Sequence, residues 1–86
     1  SYRMSYLRPT KHTNLQYSIL NISANILKIL KENIVIEYAE LLDVLKQKIG
    51  DEVNEVFLLS LSFLYMHKKI EYIKYLDAIR LVDENI

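Results

Sequence analysis

The residues of this 86-residue chain whose types could do chemistry are few: His12 and His67, Ser60 and Ser62, the string Pro9-Thr10-Lys11-His12, and a set of tyrosines. A metal centre needs three or four ligands brought together, usually at short regular spacing. His12 and His67 are isolated, there is no cysteine, and the carboxylates near them form no ligand set, so no metal is expected. His67, followed by Lys68 and Lys69, reads instead as a cation at a helix C-terminus, where unpaired carbonyls favour positive charge. Ser60 and Ser62 lie in an apolar run with no general base at a recognisable spacing, which makes them core or interface serines rather than nucleophiles. Gly50 is the only glycine, so no glycine-rich phosphate loop can be built and any ATP-binding role must belong to another chain. No catalytic residue can be named, and neither enzymatic activity nor a cofactor is expected.

Two groups remain as candidate binding residues. Pro9, Thr10, Lys11 and His12 form a proline-fixed segment that offers cations, a hydroxyl and an imidazole to a protein partner, or else a solvated lead-in capped by Thr13 or Asn14. Tyr65, Tyr72 and Tyr75 cluster around the end of the third expected helix and the hairpin after it. Amphipathic rings there suit interface anchors, and core packing with a wet hydroxyl is an equal alternative.

Composition bounds what could position these residues. Eleven basic and eleven acidic side chains cancel, which removes the electrostatic footprint of non-specific nucleic-acid or anionic-membrane binding and leaves only a local basic patch open. A chain of this length makes one domain and can bury about two-thirds of its extended surface. Without cysteine, a secretory apolar core or a long uncharged apolar run, a cytoplasmic site and no membrane contact are expected.

The elements follow from periodicity. Residues 1–14 are read as an extended N-terminal arm, and 15–82 as the folded domain. A first helix over Leu15–Lys31 carries Ile19, Ile22, Ile26, Ile29 and Leu30 at helical spacing, and Leu20 and Leu27 widen its apolar arc enough to pack against more than one element. Ile34-Val35-Ile36 is a short β-branched run expected to form a one-ladder strand. Tyr38, Leu41, Leu42, Leu45 and Ile49 define a second helix with acid at its start and Lys46 and Lys48 at its end. Gly50 then suits a left-handed helix stop, and Asp51 an N-cap for the third helix, Glu52–His67. Ile70–Lys74 and Ala78–Val82 read as hairpin strands around Tyr75-Leu76-Asp77, and 83–86 as a tail. Helix, strand, helix, helix, hairpin is the winged helix-turn-helix plan: mainly α with a small β-hairpin.

The third helix is apolar nearly all round, with Val56, Leu59, Phe63 and Met66 on one side and Phe57, Leu58, Leu61, Leu64 and Tyr65 on much of the other. It is either a core helix covered on every side or one that turns a face to a partner, in which case Leu58 and Leu61 are candidate contacts. Major-groove reading is disfavoured, because Asp51, Glu52 and Glu55 open this helix where a DNA reader presents cations. The Pro9-Thr10-Lys11-His12 lead-in, followed by an apolar helix and a compact helix-turn-helix with wing, resembles the small middle components of prokaryotic ABC-three-component systems. The resemblance implies a subunit encoded with an SMC-like or ABC-type ATPase and an effector such as a nuclease, in Lamassu-like anti-phage defence, with this chain as a non-catalytic adaptor. The alternative is a winged-helix transcriptional regulator, binding DNA as a homodimer through Lys68, Lys69, Lys74 and Arg80. Under the adaptor reading DNA is touched only indirectly or weakly.

Overall fold

A computed structural model describes residues 11–82, and side chains from Asn14 onward. Three helices and a small antiparallel sheet follow one another as α1 (Lys11–Glu32), β1 (Ile36–Glu37), α2 (Tyr38–Lys48), α3 (Val53–Met66), β2 (Ile70–Ile73), a 3₁₀ turn (Lys74–Leu76) and β3 (Ala78–Leu81). The expected order of elements is therefore present, with differences at the boundaries that have physical causes.

α1 begins at Lys11, ahead of the Leu15 at which its apolar period starts, so Lys11 to Asn14 are helical rather than part of an extended arm. Its first turn is polar, and hydrophobic spacing does not report a polar turn. Pro9 and Thr10 of the candidate segment, and the 83–86 tail, lie outside the described residues. The apolar arc of α1 divides as its width predicts, since the helix packs on α3, α2 and β3 at once. Ile22, Ile26, Ile29 and Leu30 are buried, and Ser23 with them.

Where α1 meets α3 the contact includes two small polar residues. Ser23 and Ser60 are both buried; the Ser60 hydroxyl donates to the carbonyl of Ile19 at 3.4 Å and the Ser23 hydroxyl to that of Ser60 at 3.5 Å. These long, weak bonds satisfy two hydroxyls that burial would otherwise strand, while the short side chains let the helices approach. Ser60 thus belongs to the core, and Ser62 is exposed.

β1 is Ile36–Glu37 rather than Ile34–Ile36. Pairing decides this: Ile36 sits opposite Ile79 and Glu37 opposite Ala78, while Ile34, at 88 % exposure, and Val35 pair with nothing. The β-branched run marked the strand, but only Ile36 of the three reaches the core. β2 and β3 pair antiparallel with Glu71 opposite Arg80 and Tyr72 opposite Ile79, which gives the sheet order β1-β3-β2. Lys74 has left the strand for the 3₁₀ turn, and Asp77 closes the hairpin at φ 50°, ψ 50°, a left-handed conformation that Asp tolerates better than most residues.

Both ends of α3 differ from expectation. Asp51 does not cap it; no side chain does, and the amides of Val53, Asn54 and Glu55 instead donate to the carbonyls of Gly50, Asp51 and Glu52 in a tight 3₁₀ start. Gly50 has a positive φ of 136°, beyond the ordinary left-handed helical region, so glycine is needed there all the same. At the C-terminus, the Lys69 amide donates to the Leu64 carbonyl and the Lys68 amide to that of Tyr65, the paired bonds of a Schellman motif. Lys68 takes the left-handed position, φ 59°, that glycine usually fills.

The core gathers Ile22, Ile26, Leu30, Ile36, Leu41, Leu45, Val53, Phe57, Leu64 and Ile79, with the Tyr38 ring edge-on to Phe57 at 5.1 Å. α3 contributes Val53, Val56, Phe57, Ser60, Leu61 and Leu64, a stripe at helical spacing along one face. The rest of its apolar surface is left outside.

Candidate functional site

The outward part of α3 is where the described surface is most unusual. Leu58 is 65 % exposed, Tyr65 62 % and Met66 77 %, and Leu59 is also exposed. The early part of the helix, where a DNA reader carries cations, holds Glu52 and Glu55, both exposed. Apolar side chains left in water in this way cost free energy that a covering partner would recover, at roughly 25 cal/mol per Å².

A groove of about 680 Å³ runs between this face and the hairpin. Its floor is Leu61, Ile70 and Ile79, all buried. One wall is α3, through Leu58, Ser62, Tyr65 and Met66; the other is the sheet side, through Tyr72, Asp77 and Tyr38. The Tyr72 hydroxyl donates to Asp77 Oδ1 at 2.5 Å, fixing the ring that forms the rim. That hydrogen bond, with partial desolvation and the nearby Asp77 charge, holds the Tyr72 phenol above its ordinary pKa near 10. The groove is therefore apolar at its base with a few fixed polar groups at its edge, the composition that suits a side chain or helix of another protein.

The sequence-based candidates divide. Leu58, Tyr65 and Tyr72 line the groove together. Leu61 does not face outward as a contact residue should; at 7 % exposure it is core, reachable only as the groove floor, because it falls on the same helical stripe as Phe57 and Leu64. Tyr75 is 88 % exposed at the hairpin tip and outside the groove lining. Lys11 and His12 occupy the first two positions of α1. Sequence reasoning missed Tyr38 and Asp77 as groove residues; they come from α2 and the hairpin turn, and no linear pattern joins them to α3.

The four cations proposed for DNA lie on both sides of β2 and on β3. Lys68 and Lys69 precede β2 and Lys74 follows it, so the strand separates them by about 13 Å. Arg80 is committed across the strands to Glu71, whose Oε2 accepts from Nη2 at 3.0 Å and from Nε at 3.1 Å.

Among the described residues no three His, Asp or Glu side chains gather as a metal site, and no helix is long and apolar enough to cross a membrane. No curated protein and no solved structure gives a match. A family model does match: ABC-three component (ABC-3C) system Middle Component 8, over residues 34–82. That span runs from just before β1 through β3 and takes in the whole groove, but it leaves out the Pro9–His12 string. Because the match covers more than half of the chain, with α3, the hairpin and the groove between them all inside it, the chain belongs to the Middle Component 8 family of ABC-three component systems.

Proposed function

We propose that this chain is a non-catalytic winged-helix adaptor that joins an SMC-like or ABC-type ATPase to an effector in a cytoplasmic, prokaryotic antiviral defence complex. A middle component of a multi-protein system meets other proteins of that system, which supports an interaction role. The order helix, strand, helix, helix, hairpin, with β1 added to the hairpin beside β3, supports the winged-helix assignment. The observation that carries the adaptor reading is the groove between α3 and the hairpin: an apolar floor, exposed Leu58, Tyr65 and Met66, and carboxylates where a DNA reader needs cations. Such a surface is disfavoured against phosphates and favoured against an apolar protein segment.

Co-expression with the products of the neighbouring genes, followed by capture through this chain and mass determination of the complex, tests the reading. The wild-type chain is expected to hold an ATPase subunit. Leu58→Arg, placing a charge on the groove wall, is expected to lose it with an unchanged circular dichroism spectrum. An ATPase that is not retained by the wild type, or is retained equally by Leu58→Arg, overturns the proposal.

A further inference from the structure

The outward face of α3 has a second property, and two of the residues that carry it, Ser62 and Met66, also stand in the groove wall. Glu55, Leu59, Ser62 and Met66 follow one another at spacings of four, three and four residues, the period of a helix-pairing seam. All four are exposed. At 100° per residue this line lies about a quarter turn from the groove wall of Leu58 and Tyr65.

Charge is distributed about the two ends of that line in a directional way. Glu55 stands on it and Asp51 and Glu52 in the turn before the helix, while His67, Lys68 and Lys69 lie in the Schellman turn just beyond Met66; all are exposed. None of them forms an ion pair among the described residues, where the one pair is Arg80 with Glu71. The middle is a small residue, Ser62, flanked by Leu59 and Met66. A surface with acid at one end, base at the other and a small residue at its centre is complementary to itself when rotated by a two-fold axis through that centre.

We propose that this face of α3 pairs antiparallel with α3 of a second copy of the chain. Ser62 then lies against its own counterpart, Leu59 packs beside the second copy's Met66, and Glu55 meets the second copy's Lys69. The helix dipoles oppose one another, which is favourable for antiparallel neighbours. The helix has 14 residues and so spans about 21 Å. One such pair buries less than a standard interface, so the dissociation constant is expected on the order of 10 μM. The inference goes beyond the adaptor reading: because Ser62 and Met66 also line the groove, a second copy seated on the seam competes with a partner seated in the groove.

Sedimentation equilibrium of the purified chain, with no other protein present, tests this separately from capture of an ATPase. The wild type is expected to shift from monomer to dimer as concentration rises through roughly 1–100 μM, less readily at high salt, where exposed charge pairs are screened. Ser62→Arg, which sets two guanidinium groups against each other at the axis, is expected to leave a folded monomer. Glu55→Lys and Lys69→Glu are each expected to weaken the dimer by about tenfold, from two repulsive contacts. A one-to-one mixture of those two variants is expected to dimerise again, because every cross-contact is then between opposite charges. A wild type that stays monomeric through this range, a dimer indifferent to Ser62→Arg, or a mixture that fails to recover overturns the proposal.

Discussion

Leu58 and Leu61 are the same residue type one helical turn apart, and the structure assigns them opposite fates. Leu61 is 7 % exposed and Leu58 is 65 % exposed. Truncating Leu61 to alanine removes a buried side chain and leaves a void, a change that costs 2–5 kcal/mol across protein cores. Because Leu61 also floors the groove, water can reach part of that void, which places the expected loss at the lower end, about 2.5–3 kcal/mol. For a domain of this size each kcal/mol lowers Tm by roughly 4–8 °C, so a fall of roughly 10–24 °C follows. Leu58→Ala forfeits only about a third of a leucine's burial, less than about 1 kcal/mol, and a few degrees at most. Thermal and urea unfolding followed by circular dichroism, at one low protein concentration, measures both. A Leu61→Ala variant within about 1 kcal/mol of wild type, or a Leu58→Ala variant as unstable as Leu61→Ala, would refute the partition of α3 into a core face and an outward face, and with it the groove.

Two further outcomes follow from backbone and proton chemistry. Lys68→Gly relieves a left-handed residue in the Schellman motif that ends α3 and is expected to stabilise the chain by about 0.5–1 kcal/mol in urea unfolding, net of glycine's added freedom when unfolded; no gain would mean that the motif is unstrained. The raised Tyr72 pKa means that the folded state holds this proton more tightly than the unfolded chain. The stability it contributes is therefore present below the ordinary tyrosine value and is lost as pH rises through the folded one. Asp77→Asn keeps a residue that tolerates the left-handed turn but removes the carboxylate acceptor, so an NMR titration of the tyrosine rings should show the Tyr72 midpoint move down; an unmoved midpoint would assign the shift to another cause.

Much of the fold was legible because its determinants are local. The apolar period of α1 and α2, the lone glycine between α2 and α3, and the change from helical to strand spacing after His67 each report a physical preference of a few neighbouring residues. The places where reading failed are those where a distant segment decides. Ile34 and Val35 have the side chains of a strand, but β3 offers partners only to Ile36 and Glu37. Asp51 has the side chain of a cap, but the chain enters α3 through a tight turn whose own carbonyls satisfy the first amides. Arg80 looks like a free cation until the register of β2 against β3 sets it opposite Glu71.

The candidate site shows the same division. That α3 carries more apolar surface than one core face can absorb was visible in its sequence, since helical spacing distributes Leu58, Leu61, Tyr65 and Met66 around the axis. Which of them is buried was not, because a helix apolar all round has no face marked as the inner one. The buried face is the one on which α1 packs, with Ser23 and Ser60 bonded across the contact, and on which Ile70 and Ile79 of the sheet lie buried with Leu61. Residue types and their spacing alone make the chain mostly helical, neutral and oversupplied with apolar surface on one helix. Only tertiary packing decided where that surplus faces, because burial depends on what lies across the gap as well as on the residue itself.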